Sequence, residues 1–294
     1  MTTPITAPAT SPAHTLDLPG GRIAYDDAGS GPLVVLVPGM GDVRASYRFL
    51  IPRLVEAGYR AVSMDLRGHG ASSTGWADYR DTAIATDVLA LIRHLAGGPA
   101  ILVGNSYGGA AVAYAAATDP GAVSALVLLD AFVRDLPQTL VQRLSIRALG
   151  LLGAGAWTSY YKSLYKATPP ADLPAYLKAL KASLKELGRF AATMAMMPAA
   201  QGSRATVEAR LGEVRAPALV VMGSKDPDFP DPAAEAARTA ASLRGSSHTE
   251  IQMIAGAGHY PHAERPDMVA AAIIAFLANA GVGDATGAAV RHGA

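Results

Sequence analysis

Gly104-Asn105-Ser106-Tyr107-Gly108-Gly109 sets a serine among glycines, directly after the apolar run Ala100 to Val103 and directly before the helix-like run Ala110 to Ala117. A strand that turns sharply into a helix with a side chain pointing out at the bend strains the residue at its centre. Small neighbours two positions to either side relieve the collisions that follow. The bend also leaves the first N–H groups of the helix unpaired and free to bind developing negative charge. Strand, G-x-S-x-G and helix together form the pattern of a nucleophile elbow. A Gly/Ser-rich turn that merely joins two elements has the same letters, so the pattern needs a base, an acid and an oxyanion site elsewhere in the chain.

A serine hydroxyl is a weak nucleophile at neutral pH and needs a base within hydrogen-bond reach. Histidine suits the task because its pKa lies near the operating pH. Of the seven histidines, His14 and His292 fall in expected tails, His94 in a helix and His248 just before a strand. His259 follows the last expected strand, in Gly256-Ala257-Gly258-His259-Tyr260-Pro261. Parallel strands bring their C-terminal ends to one edge of a sheet, which places that loop beside the elbow. His259 is therefore the expected base, with His262 read as structural at the start of the following helix. Its orienting acid is expected at Asp226, in Gly223-Ser224-Lys225-Asp226-Pro227-Asp228, which follows the strand Ala218 to Met222 at the same edge. The chain order Ser, Asp, His agrees with this choice. Asp130, at the end of an earlier strand, and Asp228, read as a turn or helix cap, are the competitors. Oxyanion donors are expected from the backbone N–H of Tyr107 and of Met40, the latter in Pro38-Gly39-Met40-Gly41-Asp42. Two glycines there let the backbone approach a substrate closely.

The elements that must hold these residues alternate as short apolar runs and longer helical patterns, the form of a βαβ sheet with helices on both faces. Strands are expected at Arg22 to Tyr25, Leu33 to Val37, Ala61 to Met64, Ile101 to Val103, Val123 to Leu129, Ala218 to Met222 and Ile251 to Ile254. Helices are expected at Arg44 to Ala57, Asp81 to Leu95, behind the elbow, at Ala233 to Leu243 and at Pro266 to Ala278. From Val133 to Leu211 no strand pattern occurs. Leu173, Leu177, Leu180, Leu184 and Leu187 recur there at helical spacing, with lysines opposite. The expected organisation is a flexible tail over residues 1–14, an α/β core over 15–132 and 212–281, a helical insertion over 133–211 and a second tail over 282–294.

Composition narrows the function classes. With 294 residues, half of them apolar, 17% charged and a net charge of +1, the chain can bury a large core and carries no basic stripe. Neither nucleic acid nor an anionic membrane surface is an expected partner. The absence of cysteine excludes disulfides, thiol catalysis and cysteine–zinc sites. No apolar run approaches the ~18 residues of a spanning helix, and Met1 to His14 lacks the regions of a signal peptide. A cytoplasmic location is the resulting expectation.

Val37-Pro38-Gly39-Met40-Gly41, Asp65-Leu66-Arg67-Gly68-His69-Gly70-Ala71-Ser72, the elbow, the Gly223-to-Asp226 turn and Gly258-His259 occur in an order that resembles the α/β-hydrolase superfamily from about Leu16 to Ala280. The resemblance implies an eight-stranded, mostly parallel sheet with helices on both faces and a helical cap, here 133–211, inserted after the sixth strand. It also implies a serine hydrolase that needs neither metal nor cofactor, in which Asp65 to Ser72 shapes a loop near the site and His69 is structural. Serine at the nucleophile position argues against the related haloalkane dehalogenases and epoxide hydrolases, which use aspartate. Two positions depart from the family pattern. Pro38 stands where the oxyanion loop usually begins with histidine, and Asn105 precedes the nucleophile where histidine is commoner. Asn105 with the double glycine resembles the elbow of carbon–carbon bond hydrolases of ring-fission products. Those usually carry a fuller oxyanion motif and an arginine for the substrate carboxylate, and neither can be placed here from sequence. The central expectation is hydrolysis of a small or medium carboxylic ester or lactone, with an apolar acyl substrate. Gly39, Trp157, Tyr160, Tyr161, Met194 and Met197 are the candidate substrate-binding residues, against the alternative that the aromatic and methionine side chains pack cap to core. A carbon–carbon hydrolase, a cofactor-free haloperoxidase acting by perhydrolysis, and a ligand-binding receptor without turnover are the other readings.

Overall fold

A computed structural model describes residues 14–136 and 140–283 of the chain. Eight strands form one sheet: β1 (His14–Leu18), β2 (Gly21–Ala28), β3 (Leu33–Val37), β4 (Arg60–Met64), β5 (Ala100–Asn105), β6 (Val123–Leu129), β7 (Ala218–Gly223) and β8 (Thr249–Ile254). Their spatial order is β1-β2-β4-β3-β5-β6-β7-β8, antiparallel at β1/β2 and β2/β4 and parallel from β4 to β8. The direction of winding reverses between β3 and β5. That reversal opens a crevice at the C-terminal ends of these two strands, the place where α/β sheets hold their ligands.

The sheet is apolar on both faces, and its residues sort by the strand period of two. Val35, Val37 and Leu102 enter one core layer, while Val34, Leu36, Ile101 and Val103 enter the other. Helices α1 (Leu50–Glu56), α2 (Asp81–Leu95) and α3 (Tyr107–Thr118) belong to the first half of the chain. Between β6 and β7 run α4 (Leu140–Leu152), α5 (Ala154–Ser163), α6 (Leu173–Lys185) and α7 (Arg189–Arg210), with no strand among the described residues. After β7 come α8 (Pro232–Ser242), α9 (Pro261–Glu264) and α10 (Pro266–Asn279). The helices between β6 and β7 carry their own apolar cluster, in which Trp157, Tyr161, Tyr165, Tyr176 and Leu180 pack with Tyr260 of the His259 loop.

Four expectations are corrected. The helix expected over Arg44 to Ala57 is a 3₁₀ turn at Arg44–Tyr47 followed by α1. Pro52 is tolerated in the first turn of α1, but in a helix begun at Arg44 its ring would collide with the carbonyl four residues back, while the Arg44 N–H is drawn to Asp65 Oδ1 at 2.7 Å. The edge strand β1 had no expected counterpart and begins at His14, which pairs with Tyr25 and so is no part of a tail; residues 1–13 and 284–294 lie outside the described residues. Val282, expected to be tail, is partly buried against the second core layer. The leucine stripe of α6 ends at Leu184, because Glu186 is extended and Gly188 left-handed, leaving Leu187 95% exposed.

Candidate active site

The chain enters the crevice at Ser106, held at φ 52° and ψ −117° between β5 and α3. Such a backbone costs a non-glycine residue about 1–3 kcal/mol and persists only where its surroundings fix it. Three backbone hydrogen bonds do so: Ser106 N–H donates to Leu129 O (3.0 Å), and Ser106 O accepts from Gly109 N–H (3.1 Å) and Phe132 N–H (3.2 Å). The elbow glycines are a steric need, since a Cβ on Gly108 would run into the Val37 and Pro38 carbonyl oxygens and one on Gly109 into Ala131. Gly39 abuts the serine from the β3 loop: a Cβ there would stand 3.1 Å from Ser106 Cβ.

His259 is brought to the same edge by the loop after β8. Its N–H donates to Leu164 O (3.1 Å), and the neighbouring Gly258 N–H donates to Glu264 Oε1 (2.8 Å). The other oxygen of Glu264 accepts from Lys166 N–H and Ala167 N–H, tying the histidine loop to the segment after α5. Asn105 braces this loop from below, donating from Nδ2 to Leu129 O (3.0 Å) and His259 O (3.2 Å). His259 Nδ1 donates to Asp226 Oδ2 at 2.6 Å, both groups being buried. Its Nε2 lies 3.9 Å from Asp228 Oδ2, and the Asp228 carboxylate accepts from Tyr160 OH at 2.9 Å. Asp228 therefore faces the imidazole instead of capping a helix; the cap of α8 is Asp231, which accepts from Ala234 N–H.

Three carboxyls surround one imidazole, and their environments split them. Burial opposes the charged form of Asp226, but the His259 charge and hydrogen bond outweigh it and hold Asp226 below the usual carboxylate range. Asp130 accepts from Gly223 N–H at 2.8 Å. Burial first, and then the Asp226 charge, push it well above that range, which favours its neutral form. For His259 burial favours the neutral ring, yet Asp226, with Asp228 and Asp42 adding, raises its pKa from 6.5 to about 9. Ligand atoms of Asp130, Asp226 and His259 lie within 4.8 Å of one another, close enough for a cation. Binding one would require breaking the 2.6 Å His259–Asp226 hydrogen bond.

On the other side of Ser106 the turn Gly39–Asp42 closes by Asp42 N–H to Gly39 O at 3.3 Å. No hydrogen bond claims the Met40 N–H among the described residues, and the Tyr107 N–H, first in α3, has no intrahelical acceptor. Asp42 is fully buried; Tyr161 OH donates to its Oδ2 at 2.8 Å, and Tyr176 OH and Val43 N–H donate to its Oδ1. Trp157 Nε1 donates to Gly41 O at 3.2 Å.

Of the candidate substrate-binding residues, Gly39 lies against Ser106, and Tyr160 reaches Asp228. Trp157 and Tyr161 spend their polar ends on the Gly39–Asp42 turn, so they hold that turn in place. Met194 packs toward Gly150 of α4, and Met197 joins the aromatic cluster of the inserted helices. Phe132 and Phe229, which the sequence did not mark, stack 4.6 Å apart and flank the His259 ring at 5.7 and 6.5 Å. Arg204 of α7 also escaped notice. Its guanidinium lies 5.0 Å from the Phe132 ring, and its buried Nε has no hydrogen-bond partner among the described residues. Among the described residues no helix is long and apolar enough to cross a membrane.

Residues 34–272 match the alpha/beta hydrolase family. The chain is 28% identical over 270 residues to the 2-(acetamidomethylene)succinate hydrolase of Mesorhizobium japonicum, across 87% of this chain and 92% of that one. It superposes on a bacterial membrane phospholipase A with a TM-score of 0.75 at 25% identity, covering 91% of this chain and 86% of the other. The enol-lactonase of Burkholderia xenovorans LB400 shares the fold at a TM-score of 0.75 and 20% identity, covering 90% and 100%.

Proposed function

This chain belongs to the alpha/beta hydrolase family, and from that premise we propose that it is a serine hydrolase cleaving a small or medium carboxylic ester or lactone through an acyl-enzyme. One observation carries the reading: the strained Ser106 stands in the sheet crevice beside Gly39, at the edge where His259 is locked onto the ionised Asp226. Ser106 Oγ attacks the carbonyl carbon while its proton passes to His259 Nε2. Asp226 holds the Nδ1–H tautomer and balances the imidazolium charge. The Met40 and Tyr107 N–H groups take the oxyanion. His259 then protonates the leaving alkoxide, and a water deprotonated by the same ring releases the acid. The Phe132 and Phe229 rings beside His259 suit an apolar acyl group. The inserted helices α4–α7, with their aromatic cluster, serve as the cap over the site.

The test is reaction with a fluorophosphonate followed by intact mass and peptide mapping. One adduct is expected, on Ser106, and His259→Ala should abolish it. An adduct elsewhere, or none on the wild-type protein, would sink the reading.

The carboxylates around His259 also set the pH dependence. Below its pKa the ring is an imidazolium with no lone pair for the serine proton; above it the ring is a competent base. Because that pKa is raised to about 9, kcat/KM should climb with pH well beyond 6.5 and level off only in the alkaline range. Asp228→Asn removes one of the raising charges and should move the limb to lower pH. A limb near pH 6.5 that Asp228→Asn leaves in place would refute the raising of the His259 pKa by these carboxylates.

A further inference from the structure

Pro38 removes the histidine with which the family's oxyanion loop usually begins, yet the turn is held. Gly41 N–H donates to His69 Nε2 at 3.0 Å. His69 Nδ1 faces Arg67 O at 2.8 Å, an acceptor only, so the proton sits on Nδ1 and Nε2 keeps the lone pair that Gly41 needs. Thr193 Oγ1, 3.1 Å from the same Nε2, has its own acceptor in Arg189 O at 3.2 Å. Gly41 has φ +69° at the third position of the Gly39–Asp42 turn, the positive φ that a type II turn requires. Its N–H belongs to the central peptide of that turn, whose orientation distinguishes type II from type I. His69 grips this N–H, while Trp157 grips the Gly41 carbonyl from the other side.

We propose that His69 is the positioning residue of the oxyanion turn: by holding the Gly41 N–H it fixes the Met40–Gly41 peptide and so the turn conformation that presents the Met40 N–H of the preceding peptide. It lies in the Asp65–Ser72 loop, 31 positions beyond the usual histidine by chain numbering (69 against 38). Burial lowers its pKa from 6.5 to about 4, so the ring stays neutral and accepting across the working range. The inference rests on the serine-hydrolase reading and concerns only how one donor is held.

The experiment compares His69→Leu with His69→Gln, whose Oε1 can reach the Nε2 position, using steady-state kinetics on one activated ester and a melting curve for each variant. The Leu variant should lose roughly 10²-fold in kcat with little change in KM, the scale of a lost oxyanion donor. The Gln variant should recover at least tenfold of that loss. Should His69→Leu fail to fold, Gln is set against Asn, which places its amide at the Nδ1 reach; Gln should exceed Asn at least tenfold in kcat. A folded Leu variant with kcat within twofold of wild type, or a loss carried by KM, overturns the proposal. So does a Gln variant no better than Leu or Asn. Ser106→Ala is the control that separates the two claims. If it turns over normally, the hydrolase reading itself falls; if it is dead while His69→Leu is normal, only the role of His69 falls.

Discussion

Ser106→Ala should lower kcat by about 10⁴ to 10⁶ while leaving fold and melting temperature nearly unchanged. No hydrogen bond to another described residue involves Ser106 Oγ, and the hydroxyl lies at the crevice instead of in the core, so its removal leaves no buried partner stranded. The backbone supplies the elbow's restraints, through Leu129 O, Gly109 N–H and Phe132 N–H, and alanine keeps all three. The positive φ at position 106 strains alanine much as it strains serine. The loss should therefore be confined to the chemical step, read as kcat on an activated ester after contaminating esterase is excluded by fluorophosphonate pretreatment. Residual activity within a hundredfold of wild type would mean that the nucleophile lies elsewhere.

Asp226→Asn should cost roughly 10⁴ in kcat, because an amide facing Nδ1 selects the wrong imidazole tautomer and leaves the imidazolium without its counter-charge. The competing residue makes this a discriminating measurement. Asp130 sits beside the same pair, but burial and the Asp226 charge disfavour its ionised form. Its Oδ1 supports Gly223 N–H, a contact that an asparagine carbonyl oxygen can still make. Asp130→Asn should accordingly be mild. A crippled Asp130→Asn beside a nearly active Asp226→Asn would reverse the assignment.

The sheet was legible because its strands are continuous apolar runs buried on both faces, from Leu33–Val37 to Ala218–Gly223. The placement of Ser106 and Asp226 at one sheet edge was legible because each follows such a run, and that of His259 because it follows the last strand, β8, although β8 is partly exposed. What stayed hidden is what packing decides. β1 is a short edge strand with no continuous apolar run, set by its pairing with β2 and by Leu16 and Leu18 against the first core layer. The break at Arg48 and Phe49 depends on where Pro52 falls and on the pull of Asp65. Asp228 looked like a helix cap because sequence shows only its turn, whereas the fold points its carboxylate at His259 Nε2. Asn105 hinted at a substrate class; in the fold its amide bridges β6 to the His259 loop. The contact of His69 with Gly41 spans two loops and has no local pattern at all.

Glu264 and Leu164 carry a lesson for engineering. Glu264 accepts three N–H groups, one from the His259 loop and two from the segment after α5, while the His259 N–H rests on Leu164 O. The helices between β6 and β7 are thus tied by hydrogen bonds to the His259 loop and are not an exchangeable cassette. A chimera that swaps them at the strand ends must carry Leu164 to Ala167 with the recipient, or the His259 loop loses these hydrogen bonds.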